Sequence, residues 1–218
     1  MEWIFQKKYF FLFVVIIIAS FLRLYNIAET PPGFYADEAM YANNGLYAWQ
    51  TGNLSVFYPE NFGREGLWPN VIGFFIYYFG NEPWIPRSIA AIFGIFTVLG
   101  VYFLARELFR RNAPSILSPE NIALFSSFFI ATNVWHIIFS RIGVRAILAP
   151  LFLVWSVYFA LVAFRMATSR GLTITPSLWR VSLYAILGGI FFGLGFHTYI
   201  AFRVMPLLIA AIFLLFWL

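Results

Sequence analysis

The chain has no cysteine, two histidines and nine carboxylates in 218 residues, and charged residues make up only 11% of it. Without cysteine there is no disulfide framework and no thiolate metal site, and the redox compartment stays open. Soluble domains run to about 25% charged and about 45–50% apolar residues. A chain that is 62% hydrophobic and 22% aromatic, with 28 phenylalanines, is therefore neither a soluble enzyme nor a disordered tail nor a nucleic-acid-binding domain. The net charge of +5 points to Lys and Arg that fix orientation in a bilayer rather than to a nucleic-acid partner. No repeat of fixed period and no low-complexity segment is present.

What the sequence does have is long apolar runs. Six are expected to cross a membrane as helices, at about 9–27, 85–105, 122–139, 146–164, 181–196 and 204–218. The first follows Lys7 and Lys8 and continues to Arg23 without a small-x-small site, which reads as an uncleaved anchor. Leu67–Phe79 is apolar but short, with Pro69 and Asn70 near its start, and reads as interfacial or re-entrant. If it does not cross, Lys7, Lys8, Arg106, Arg110, Arg111, Arg165, Arg170 and Arg180 share the cytoplasmic side with the N-terminus. The final apolar run has no polar flank, so the chain is expected to be the N-terminal part of a longer protein. Gly188, Gly189, Gly193 and Gly195 read as close helix packing in lipid.

Six of the nine acids, Glu29, Asp37, Glu38, Glu60, Glu65 and Glu82, fall in the outer loop 28–84. After the turn at Pro31-Pro32-Gly33 a helix is expected from Ala36 to Gln50, ended by Gly52, with Asp37 and Glu38 in its first turn. Ala39, Ala42, Leu46 and Trp49 form an apolar face suited to the headgroup region, while Asp37, Tyr41 and Asn44 share another face. Asp37 also reads as a plain helix-start acid. Arg141 and Arg145 in Ser-Arg-Ile-Gly-Val-Arg, with His197, Tyr199 and Arg203, come to the same side. Arginine at a lipid boundary needs a headgroup, a carboxylate or a bound anion. Acids and guanidinium groups together suit a substrate with an apolar tail and a phosphate head, attacked by a polar second substrate under carboxylate catalysis. His136, beside Trp135, reads as part of an interfacial aromatic belt.

Pro-Pro-Gly-Phe-Tyr-Ala-Asp-Glu-Ala-Met-Tyr-Ala (31–42), Arg-Glu-Gly-Leu-Trp-Pro (64–69), Phe-Gly-Asn-Glu-Pro-Trp-Ile-Pro-Arg (79–87), Leu-Ala-Arg-Glu-Leu-Phe (104–109), Ser-Arg-Ile-Gly-Val-Arg (140–145) and His-Thr-Tyr-Ile-Ala-Phe-Arg (197–203) resemble glycosyltransferase family 39, the relatives of protein O-mannosyltransferases and aminoarabinose transferases. The resemblance implies an all-α integral membrane bundle of the GT-C type, a long outer loop carrying interfacial helices, and a second half that this chain lacks. It implies inverting transfer from a polyprenyl-phosphate sugar to a lipid, glycan or protein hydroxyl on the extracytoplasmic side, in a prokaryotic plasma (inner) membrane, with no nucleic acid involved. Asp37 is then the general base, and Glu38 assists through an acceptor contact or a divalent ion. Arg64, Glu65, Arg141, Arg145, His197, Tyr199 and Arg203 bind donor phosphate or substrate. Relatives carry a Gly-Lys-Pro-Pro-Leu-like motif where this chain has Arg-Glu-Gly-Leu-Trp-Pro. The competing readings are a transporter, which calls for charges or broken helices at mid-membrane, and a non-catalytic lipid-binding or assembly protein of the same fold. In the sequence such charges and breaks are missing, apart from Arg23 towards the outer end of its helix.

Overall fold

The computed structural model describes residues 2–60, 63–110, 117–168 and 178–217, and these are mostly helical. In chain order the elements are α1 (Glu2–Leu24), α2 (Ala36–Thr51), β1 (Phe57–Tyr58), β2 (Arg64–Glu65), α3 (Leu67–Phe79), α4 (Trp84–Leu108), α5 (Pro119–Thr132), α6 (Val134–Arg141), a 3₁₀ turn at Arg145–Ile147, α7 (Leu148–Thr168), α8 (Leu178–Gly195), a 3₁₀ segment at Ile200–Val204 and α9 (Met205–Trp217). Arg111 and Arg170, two of the expected cytoplasmic arginines, lie outside the described residues.

Among the described residues three helical runs are long and apolar enough to cross a membrane: Trp84–Leu108, Arg145–Thr168 and Leu178–Gly195. At 1.5 Å per residue α4 is about 37 Å long, against a hydrocarbon core of about 30 Å. Of the other three expected spans, 122–139 is broken. Asn133 leaves the helical conformation and its side chain accepts a hydrogen bond from the His136 backbone N–H at 2.9 Å, starting α6 at an angle of 56° to α5. The apolar part of α1 stops at Leu24, where the chain turns through Asn26 with φ of 50°. Residues 200–204 are drawn into a 3₁₀ segment, leaving α9 only 13 residues.

The largest apolar cluster joins α2, α3, α4, α7 and the 3₁₀ segments through Trp68, Ile72, Ile89, Leu148, Leu151 and Phe202. Two smaller clusters pack α1 against α4 and α5, one around Leu12 and Tyr102, the other around Ala19 and Val98. Gly188 packs against Ser156 and Ala160 of α7, as expected, while among the described residues no atom lies within 4 Å of a Cβ added at Gly189 or Gly193.

The helix expected at Ala36–Gln50 runs to Thr51 and ends at Gly52 in the left-handed region, φ 72°. Its apolar face does not lie free in the headgroup region, because α3 covers it. Ala42 is buried with Leu46 against it, and Trp49 donates to the Asn70 carbonyl at 2.8 Å. The two helices touch backbone to backbone. A Cβ added to Gly45 would stand 2.1 Å from the Pro69 oxygen and 2.8 Å from the Gly73 Cα.

The start of α2 is bonded to the start of α4, Glu38 to Arg87, so the chain from 36 to 84 returns to the end of the bundle where it began. Leu67–Phe79, at 13 residues, is among the shorter apolar helices. At the opposite end of α4, Glu107 pairs with Arg165 of α7, and Arg106 lies 3.8 Å from Glu120 of α5.

Candidate functional site

Glu38 and Arg87 organise the first part of the site. Both are buried, and the pair is bidentate: Arg87 Nε lies 3.1 Å from one Glu38 oxygen and Nη2 3.2 Å from the other. The same carboxylate accepts from the backbone N–H of Tyr35 at 2.9 Å and of Gly143 at 2.6 Å. Arg87 also donates to the carbonyls of Pro31, at 2.9 Å, and of Gly33. One ion pair thus holds the 31–35 turn, the first turn of α2, the start of α4 and the 142–144 link to α7. The carboxylate thus accepts four hydrogen bonds and Arg87 donates four of its five N–H groups, the bonding that compensates burial of a charged pair. Trp68 at the start of α3 adds to the joint by donating to the Gly143 carbonyl at 2.9 Å.

The β1–β2 ribbon positions the second part. Its antiparallel register pairs Phe57 with Glu65 and Tyr58 with Arg64. It is tied to α3 by the Tyr58 hydroxyl on Asn70 at 2.7 Å and by the Asn70 amide on the Ser55 carbonyl at 2.9 Å. Glu65 is buried and takes an arginine on each oxygen, Arg145 from the turn before α7 and Arg203, at 3.0 Å, from the segment before α9. Arg145 stacks 5.5 Å from the Tyr199 ring centre and Arg64 5.2 Å from that of Tyr41.

Arg64 is 1% exposed. Its Nε reaches the Glu60 carbonyl at 3.3 Å, but Nη1 and Nη2 meet no partner among the described residues, and neither does the buried Nε of Arg145. Buried donors are almost always paired, and an unpaired guanidinium is costly. Two arginines therefore meet one carboxylate, and Arg64 stands over Tyr41 with N–H groups left over among the described residues.

Asp37 stands beside this cluster. It is half-buried, and its carboxylate makes no hydrogen bond or ion pair among the described residues. One helical turn on, the Tyr41 phenol is buried, which raises its pKa; the charge of Asp37 adds to that rise, while Arg145 and Arg64 oppose it. The three charges that bear on Tyr41 are those of a free carboxylate and two guanidinium groups with unfilled donors.

The structure separates the remaining sequence candidates. Arg141 does not join the cluster. Its guanidinium donates to the carbonyls of Leu22 at 3.1 Å and of Tyr25 and Thr30 at 2.8 Å, closing the C-terminal end of α1. It is a cap two residues before Gly143, whereas Arg145 lies two residues beyond it. His197 is exposed on the turn after α8. Glu38 has four donors on its two oxygens, so neither an acceptor hydroxyl nor a divalent ion fits there, and among the described residues no group of three histidine or carboxylate side chains is placed to hold a metal. His136 is not simply part of an aromatic belt, because its Nδ1 lies 3.0 Å from Arg23 Nη2.

Arg87 and Arg23 are the functional-site supports that the sequence reading passed over. Arg23 is completely buried at the α5–α6 break and donates to the carbonyls of Ala19 at 3.1 Å, Ala131 at 2.9 Å and Ile130 at 3.2 Å, and to the Ser140 hydroxyl at 3.3 Å. It supplies the cation and the donors that the C-terminal end of α5 lacks. Its position in an otherwise apolar helix was the available signal.

A pocket of about 250 Å³ lies on the opposite face of α2, lined by Phe34, Ala39, Asn43, Ile76, Glu82 and Pro86 among others, and contains none of the cluster arginines. No protein-family model, curated protein or solved structure matches this chain.

Proposed function

We propose that this chain is the N-terminal part of a multi-pass membrane glycosyltransferase of the family 39 kind, with GT-C architecture. It moves a sugar from a polyprenyl phosphate to an acceptor hydroxyl of a lipid, glycan or protein, inverting the anomeric centre. The N-terminus and the Glu107–Arg165 end face the cytoplasm, the arginine cluster faces the extracytoplasmic side, and the membrane is a prokaryotic plasma membrane.

The observation that carries this reading is the buried Arg64 guanidinium, two of whose nitrogens have no partner among the described residues, over the ring of Tyr41, which lies one helical turn from Asp37 and under the charge of Arg145. In the reaction Asp37 removes the acceptor proton as the acceptor oxygen attacks the anomeric carbon from the face opposite the phosphate. The bond from that carbon to the phosphate oxygen breaks, and the phosphate leaves as an anion stabilised by Arg64, Arg145 and Arg203, so no general acid is required. Glu38 and Arg87 position Asp37 through the first turn of α2 and do not touch the reacting atoms. Arg141 has no part in donor binding on this reading.

The transport reading draws on one observation, the broken α5–α6 pair with Arg23 at the break. Arg23 sits in the last turn of α1, and its nitrogens are taken by backbone carbonyls and Ser140, so this charge supports the fold rather than a translocated ion.

The test is donor dependence in the complete protein. Arg64→Gln and Arg145→Gln are expected to raise the concentration of lipid-linked sugar needed for half-maximal transfer by roughly tenfold or more, the size of one lost charge-assisted hydrogen bond. An unchanged donor dependence in both variants would remove the phosphate assignment.

A further inference from the structure

Glu65 is the odd member of the cluster. A pocket that gathers cations for a phosphate has no need of a buried carboxylate at its centre, and a buried carboxylate weakens anion binding by Coulomb repulsion. Yet Glu65 places one oxygen on Arg145 and the other on Arg203, while the next residue in the strand, Arg64, keeps its two terminal nitrogens without a partner among the described residues. The two pairs are unequal. Arg145 is largely buried, whereas the Arg203 side chain is 54% exposed. Arg203 is thus the arm free to move, because an exposed ion pair contributes little to stability and its loss is tolerated.

We propose that Glu65 is an internal counter-anion: it holds Arg145 and Arg203 where a ligand phosphate will sit, and the incoming phosphate takes Arg203 from it. Building on the donor-phosphate reading above, this adds that the site closes on itself through Glu65, whose carboxylate takes the place a phosphate would have on Arg203. Without a ligand Glu65 neutralises part of the positive charge of Arg145 and Arg203 that would otherwise be stranded in a low dielectric. When the phosphate arrives, Arg64 supplies unfilled donors, Arg203 exchanges a carboxylate oxygen for a phosphate oxygen, and Glu65 remains on Arg145. The ligand class is a phosphate-bearing molecule, and the cost of displacing the carboxylate lowers its affinity below what three free arginines would give.

The test is equilibrium binding to the full chain in nanodiscs, read by native mass spectrometry, with three probes: farnesyl phosphate, inorganic phosphate, and phosphatidylglycerol as the nanodisc lipid. Glu65→Gln keeps the shape and a hydrogen-bond acceptor but removes the competing charge. It is expected to tighten binding of at least one probe by about tenfold, the gain from a guanidinium no longer held by a carboxylate. Unchanged or weaker binding of all three probes by a folded Glu65→Gln protein would overturn the proposal and make Glu65 a strut.

Arg203→Gln, altered on the exposed rim, gives a second and independent reading. The exchange predicts that it weakens probe binding severalfold, and unaltered binding would also overturn the proposal. The source of the phosphate separates this idea from the enzymatic one. Tightening confined to farnesyl phosphate supports both. Tightening for inorganic phosphate or phosphatidylglycerol alone leaves the counter-anion in place and removes the polyprenyl donor.

Discussion

Glu38 and Arg87 face each other through two contacts, 3.1 and 3.2 Å long, with both side chains withdrawn from solvent. The pair ties the first turn of α2, which carries Asp37, to the helix α4 that runs the length of the bundle. Removing one member of such a pair strands the other in a low dielectric. Arg87→Met is therefore expected to destabilise the protein by about 3–5 kcal/mol. Glu38→Gln, which keeps the shape and some acceptors, is expected to cost less. Thermal unfolding in detergent measures both, and a Glu38→Gln protein less stable than Arg87→Met would contradict the assignment.

Arg23 makes the same kind of prediction at another joint. Arg23 donates three hydrogen bonds to α5 and α6 around their break, so Arg23→Met leaves the Ile130 and Ala131 carbonyls without a charged donor. The expected loss is about 2–3 kcal/mol of stability. Protease sensitivity is expected to rise near 130–136 before the rest of the chain responds, and limited proteolysis with mass analysis of the fragments reads that order.

The contact between Gly45 and Gly73 leaves no room for a side chain. Gly45→Ala meets backbone rather than a flexible side-chain end, so α2 and α3 must separate, at an expected cost of about 1–3 kcal/mol. Because α3 leads in from Arg64 and Glu65, the same substitution is expected to weaken phosphate binding. A thermally unaltered Gly45→Ala variant would show that the two helices slide freely.

Orientation can be read directly in a chain free of cysteine. Single cysteines at Glu60, next to the ribbon, and at Leu108, at the far end of α4, are expected to react with an impermeant maleimide from opposite sides of sealed vesicles. Reaction from one side only would mean that the chain crosses once more between them.

Much of the helical layout is written locally. The turn at Pro31-Pro32-Gly33, the acids after it and Gly52 mark both ends of α2 without help from the rest of the chain. The bounds of α3, Leu67–Phe79, follow from one apolar run between Gly66 and Gly80. The break at Asn133 was harder to see, because hydropathy averages across a change of direction; its trace was an N-cap residue inside an apolar stretch.

The site was legible as a set of residues, not as a set of partners. Glu65, Arg145 and Arg203 meet, and Arg64 and Asp37 each bear on Tyr41, but the partner of Glu38 lies 49 positions away, and nothing local announces it. Arg141 and Arg145 look alike in sequence, and the turn at Gly143 sends one to cap α1 and the other to Glu65. The two-residue strands that carry Arg64 and Glu65 are too short to leave a periodic signal.

The most direct measurement of the central claim is sugar transfer by the complete protein, supplied with a panel of polyprenyl-phosphate sugars and followed by mass analysis of the acceptor fraction, for the native sequence and for Asp37→Asn. The account predicts that one sugar mass appears with the native protein and is lost, by at least a factor of about 100 as for a missing general base, in an Asp37→Asn protein that is equally abundant and equally stable. Transfer by that variant at the native rate would contradict it.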